Sequence, residues 1–131
     1  MKGRKGTELL LITDNKVGRL SEISQAVKDN EVDIQGISAW VFDQRAFFRL
    51  VVSNQPKTRK ILESFGKVEE KEVVIVEMPD EVGQLFDLAS KLKDNNIDIS
   101  YIYGTTSEPG KAAIVIFSSD NNDKVLEVIA A

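Results

Sequence analysis

Apolar and polar positions alternate along this chain in two rounds of the same pattern. Glu8 to Thr13 holds a continuous apolar run, the mark of a buried strand, and Asp14, Asn15 and Lys16 break it. Leu20, Ile23 and Val27 then recur at helical spacing, with Arg19, Glu22 and Lys28 on the other faces. Asp29 and Asn30 end that helix. Asp33 to Phe42 alternates as a strand does, with Ile37, Ala39 and Val41 on one side. Asp43, Gln44 and Arg45 make a turn into a third strand, Ala46 to Val52. Pro56 stands near the start of a second helix, where its missing N–H costs nothing, and Ile61, Leu62 and Phe65 face inward from it. Gly66 to Lys71 offers a fourth strand.

The second round keeps the order. It predicts a strand at Val73 to Glu77, a loop at Met78 to Glu81, and a helix at Gln84 to Asn95 with Leu85, Leu88, Ala89 and Leu92 inward. A strand at Asp98 to Tyr103 follows, then a turn through Ser107, Glu108, Pro109 and Gly110. A strand at Ala112 to Phe117 and a helix at Asn122 to Ile129 complete it. Aligning Gly18 with Gly83 makes nine of the 21 positions from Val17 to Ile37 identical to their counterparts. The chain is therefore a duplication, with one module at 7–71 and a second at 72–131.

The order β-α-β-β-α, with a fourth strand for the first copy, predicts an α+β fold. It consists of two ferredoxin-like (βαββαβ) modules in tandem, each an antiparallel sheet with helices on one face. The second copy has no residues after its last helix for a fourth strand, so one sheet edge is expected to lie open there. Lys67 to Met78 contains neither Gly nor Pro, so the last strand of copy one is expected to run into the first strand of copy two. Open edges invite pairing with another chain, and a homodimer is the expectation.

Composition narrows the function. The chain has 131 residues, 42% of them hydrophobic and 29% charged, which fits a globular protein with a core. Two modules of this size are expected to lean on each other or on a second chain, because small domains bury a low fraction of their surface. There is no cysteine and no histidine, so thiolate metal sites, cysteine nucleophiles and histidine acid–base catalysis are excluded. A net charge of −4 disfavours a nucleic-acid partner. The one basic cluster, Lys2, Arg4 and Lys5, reads as a frayed tail. No apolar run is long enough to cross a membrane or to make a secretory signal, and a soluble cytoplasmic protein without a cofactor is expected.

The two stretches Asp14-Asn15-Lys16-Val17-Gly18-Arg19-Leu20 and Pro79-Asp80-Glu81-Val82-Gly83-Gln84-Leu85 resemble the ACT-domain signature, an Asp/Asn/Pro-rich loop and a Gly between the first strand and the first helix. Asn30-Glu31-Val32-Asp33-Ile34 and Asn96-Ile97-Asp98-Ile99 match the family's entry to the second strand. The resemblance runs from about Thr7 to Ile129. Family loops often carry Pro before the Gly, where this chain has Val17 and Val82. The resemblance implies a non-catalytic regulatory protein that binds an amino acid or related small carboxylate metabolite where modules meet, and that acts on a partner such as an enzyme in trans.

The residues fit that implication on physical grounds. A loop turning into a helix start leaves unpaired N–H groups and the positive end of the helix dipole, which suit a carboxylate. The amides around Val17–Leu20 and Val82–Leu85 are the expected receivers, with Gly18 and Gly83 allowing close approach. Asn15, Asp80 or residues of the second strands would meet the amino group and side chain. The candidate site is thus Asn15, Lys16, Val17, Gly18, Arg19 and Leu20 in copy one, and Asp80, Val82, Gly83 and Leu85 in copy two. Lys16 against Glu81, and Asn15 against Asp80, make copy one the better carboxylate receptor.

Each residue also has a structural role to weigh. The glycines can serve a tight loop, Asn15 and Asp80 can cap helices, and Asp33 and Asp98 can be ordinary strand entries. Trp40, Phe42, Phe47 and Phe48 read as core or interface. Arg49 reads as solvent-facing by alternation, where copy two has Val115. Three rival functions are weighed. An assembly protein with no ligand shares every feature above. An RNA-binding module lacks aromatic platforms on Leu9 to Ile12, Val73 to Val76 and Ala112 to Phe117. An acylphosphatase-like enzyme lacks a phosphate cradle, with Arg19 in one loop and Gln84 in the other.

Overall fold

The computed structural model describes residues 1–106 and 111–130, so the expected turn at Ser107 to Gly110 lies outside the described residues. The elements are β1 (Lys2–Asp14), α1 (Arg19–Asp29), β2 (Ile34–Phe42), β3 (Arg45–Val52), α2 (Gln55–Glu63), β4 (Lys67–Pro79), α3 (Gln84–Asp94), β5 (Ile99–Thr106), β6 (Ala112–Ser119) and α4 (Asn122–Ala130). They form the tandem ferredoxin-like arrangement, and among the described residues no strand follows α4. Two compact units result. One is Thr7–Lys71, and the other joins Met1–Gly6 to the chain from Glu72 onward.

In the Thr7–Lys71 unit the strands lie in the order β4, β1, β3, β2, with only the start of β4 taking part. β1 pairs antiparallel with β3, setting Leu10 opposite Arg49, and β3 pairs antiparallel with β2, setting Phe47 opposite Trp40. Alternation sends Leu9, Leu11, Phe48 and Leu50 to the helix side, where they pack with Ile23, Val27 and Leu62 of the two helices. Val68 of β4 packs against the same core. Both helices bury a narrow stripe, and Leu20 of α1 remains half exposed at 51%.

The other unit repeats this with β1, β4, β6, β5, and here the start of β1 fills the place of the missing fourth strand. Met1 packs against the core built from Val74, Val76, Leu88, Leu92, Phe117 and Val125. Lys5 pairs with Asp123 of α4 and, at 3.7 Å, with Glu72. The stretch read as a frayed tail is therefore a strand, and the sheet edge expected to lie open is occupied. A segment as polar as Lys2–Gly6 carries no strand signal of its own; an unpaired edge with unsatisfied backbone groups recruits it.

Smaller departures have local causes. Met78, placed in a loop by the Pro that follows it, is buried within β4. Leu85 and Ala89, expected inward, are exposed on α3, whose buried residues are Leu88 and Leu92. Helix α1 ends with Glu31 in the left-handed region (φ 58°), and Val32 N–H donates to the Val27 carbonyl at 3.2 Å. Asn96 (φ 57°) does the same in copy two, with Ile97 N–H on the Leu92 carbonyl at 2.9 Å. Both ends have the geometry of a Schellman motif, although neither uses glycine.

Candidate functional site

Four helices start in two different ways. α2 and α4 begin at side-chain caps: Asn54 accepts from Lys57 N–H at 3.2 Å, and Asn121 accepts from Lys124 N–H at 3.0 Å. α1 and α3 begin at Gly18 (φ 87°) and Gly83 (φ 89°), and no side chain caps either one. Asn15 and Asp80, weighed above as caps, do not serve. The helix starts at the two signature loops therefore lack the side-chain cap that would ordinarily satisfy their first N–H groups, while Glu22 and Asp87 stand in the first turns. The Arg19 amide, one of the expected receivers, is committed to the Lys16 carbonyl at 3.2 Å.

Around the copy-one loop lies an open cavity of about 270 Å³. It brings together five of the six residues expected in that copy: Asn15, Lys16, Gly18, Arg19 and Leu20. Val17 is 98% exposed and does not line it. The opposite wall comes from Ala39, Trp40 and Val41 of β2 with Ala46 and Phe48 of β3. The second strand was an expected contributor; Ala46 and Phe48 were not anticipated, because the turn at Asp43 and Gln44 that returns β3 to this place shows in the sequence only as polarity.

The electrostatics of the loop are closely tied. Arg19 donates through Nη2 to Asp14 Oδ1 at 2.5 Å and through Nη1 to Glu22 Oε2 at 3.1 Å, and Lys16 reaches Glu22 Oε1 at 3.1 Å. The hydrogen bond from Lys16, then the charges of Lys16 and Arg19, hold the Glu22 carboxyl below its ordinary value. Arg19 Nε is buried and has no hydrogen-bond partner among the described residues. An unpaired buried donor is costly, and its cost is set against the two ion pairs that the same guanidinium makes.

Copy two places its residues alike but charges them differently. Val82 is fully exposed and Leu85 is 57% exposed. Asp80 N–H donates to the Lys111 carbonyl at 2.6 Å. Asp14, Lys16, Arg19 and Glu22 sum to zero formal charge; at the equivalent positions Pro79, Glu81, Gln84 and Asp87, with Asp80 in place of Asn15, the sum is −3. No cluster of His, Cys, Asp and Glu able to hold a metal occurs among the described residues, and no helix among them is long and apolar enough to cross a membrane.

A family model described as an ACT domain pair matches residues 7–131. Among solved structures, a protein from Bacteroides thetaiotaomicron superposes with a TM-score of 0.87 at 24% identity, covering 98% of this chain and 88% of that one. The ligand-free regulatory subunit of aspartate kinase from Thermus thermophilus superposes with a TM-score of 0.70 at 14% identity, covering 99% and 95%. The corresponding subunit from Thermus flavus gives 0.59 at 13% identity, covering 99% and 95%. Likeness at these identities speaks to the fold. No curated protein matches the sequence.

Proposed function

The chain belongs to the ACT-domain family, and from that premise we propose that it is a non-catalytic sensor of an amino acid or related small carboxylate metabolite. The ligand is received at the copy-one loop and the outcome is passed to a regulated partner in trans. The observation that carries this reading is the pairing of an uncapped helix start with a cavity at the same place, in a chain whose α2 and α4 are capped. The ligand carboxylate takes the place of the missing cap. Leu20, Ala39 and Val41 offer apolar surface to the rest of the molecule.

Copy two, with its acidic loop, is not the carboxylate receptor in this reading. A homodimer joined through open sheet edges is part of it, since β2 and β5 are the edge strands. The two Thermus proteins of this fold are regulatory subunits of aspartate kinase, which supports a regulatory role here. The exposed side chains Val82, Leu85 and Phe86 on copy two favour a second reading, in which the protein serves assembly or partner binding with no ligand.

The test is a thermal-shift screen against the twenty amino acids at millimolar concentration. A ligand at a hundredfold excess over its Kd adds about 2.7 kcal/mol, several degrees in a protein of this size. A rise confined to one chemical class identifies the ligand. No rise with any amino acid leaves the assembly reading in its place.

A further inference from the structure

Glu8 is completely buried, yet it stands in what reads as a purely apolar strand. It lies on the face of β1 opposite the helices, since its neighbours Leu9 and Leu11 enter the helix-side core. Its carboxylate accepts from Arg49 Nη1 at 2.7 Å. The Arg49 guanidinium lies over the Trp40 ring, 5.1 Å from the centroid, and Trp40 stacks on Phe47 at 5.3 Å with the rings 3° from parallel. These four side chains tie the centre of the sheet to β2, its outermost strand. Arg49, read from alternation as solvent-facing, is in fact the middle of this chain of contacts.

We propose that Glu8, acting through Arg49 and Trp40, is a positioning residue that holds the β2 wall of the copy-one cavity in place. An edge strand is hydrogen-bonded on one side only, so its position depends on what its side chains grip. Ala39, Trp40 and Val41 line one wall of the cavity, and Trp40 is the one among them that the stack with Phe47 and Arg49 grips. A buried carboxylate gives the guanidinium one orientation, and a guanidinium so fixed gives the ring one orientation.

Copy two carries none of this. Sheet register places Val73 where copy one has Glu8, Ile116 (not Val115, as simple alignment gives) where it has Arg49, Ile114 where it has Phe47 and Thr105 where it has Trp40. The device is therefore confined to the copy whose loop suits a carboxylate. This second asymmetry is independent of loop charge. Its meaning for ligand binding rests on the sensor reading above; its mechanical part does not.

The experiment uses the full chain with Glu8→Gln, Arg49→Leu and the milder Arg49→Lys, which keeps the charge and loses the flat stacking surface. Trp40 is the only tryptophan, so acrylamide quenching of its fluorescence reports the stack directly. Hydrogen exchange is followed at 37–42 in β2 and at 99–105 in β5. Glu8→Gln and Arg49→Leu are expected to raise quenching and to speed exchange at 37–42 by about tenfold or more, with 99–105 unchanged and Arg49→Lys intermediate. Unchanged exchange at 37–42, or an equal rise in both strands, overturns the proposal. If the amino-acid screen yields a ligand, Glu8→Gln should weaken its Kd about tenfold, and an unaltered Kd beside a loosened β2 overturns the link to binding. If the screen yields none, the sensor reading fails, and quenching and exchange still decide the positioning role.

Discussion

Lys5, in the opening strand, forms an ion pair with Asp123 in the last helix. The contact fastens the first residues of the chain to the second copy, alongside Glu72 at 3.7 Å and the packing of Met1 on that copy's core. Copy one instead takes its fourth strand from the start of β4, with Val68 packed on its core. Each copy is thus completed by residues from a strand whose remainder begins the other copy.

Removing residues 1–6 should therefore damage the distant copy more than the adjacent one. Amides of β4 and β6 between Val73 and Ser119 are expected to lose protection, while those of β2 and β3 keep most of theirs. Hydrogen exchange with peptide-level resolution measures this directly. Equal loss in both copies would show that the opening strand matters only for overall stability.

Gly18 and Gly83 separate conformational cost from function. A side chain at either meets nothing within 4 Å, but both have φ near +90°, a conformation that branched residues resist. Gly18→Val and Gly83→Val should each cost about 1–2 kcal/mol. Binding of a carboxylate ligand should fall with Gly18→Val and survive Gly83→Val. Chemical denaturation gives the first quantity and calorimetric titration the second.

Glu31 stands in the left-handed region at the end of α1, where glycine or asparagine is the usual choice. Glu31→Gly should raise stability by a few tenths to about 1 kcal/mol. Asn96→Gly, at the equivalent place in copy two, should gain less, because asparagine already tolerates this conformation. Urea midpoints of the two variants provide the comparison.

Glu22 offers a pH signature of the loop. Its carboxyl titrates below the ordinary value because Lys16 donates to it and the charges of Lys16 and Arg19 face it, against a smaller opposing effect of burial. A lowered folded-state value stabilises the fold above the unfolded carboxylate range and is lost as pH falls through the lowered value. Lys16→Ala should move the titration back up further than Arg19→Gln does. An NMR titration of the Glu22 carboxyl follows both.

Periodicity and repetition alone determined most of the architecture. Apolar spacing at 3.6 and 2 residues located every helix and strand core, and the match around Gly18 and Gly83 established the duplication. The position of the copy-one loop was legible too, because the repeated Gly marks the strand-to-helix turn in both copies. Polar segments and partners across the sheet were not legible. Lys2–Gly6 has no hydrophobic pattern, and it becomes a strand only because copy two presents an edge to it. Glu8 reads as an intrusion in an apolar run until β3 brings Arg49 within 2.7 Å. Nothing in the loop's own sequence separates Val17, which does not line the cavity, from its neighbours that do. Only tertiary structure decides such cases, since pairing across strands depends on register and on which groups burial leaves without water, and neither is a property of a residue's own neighbours along the chain.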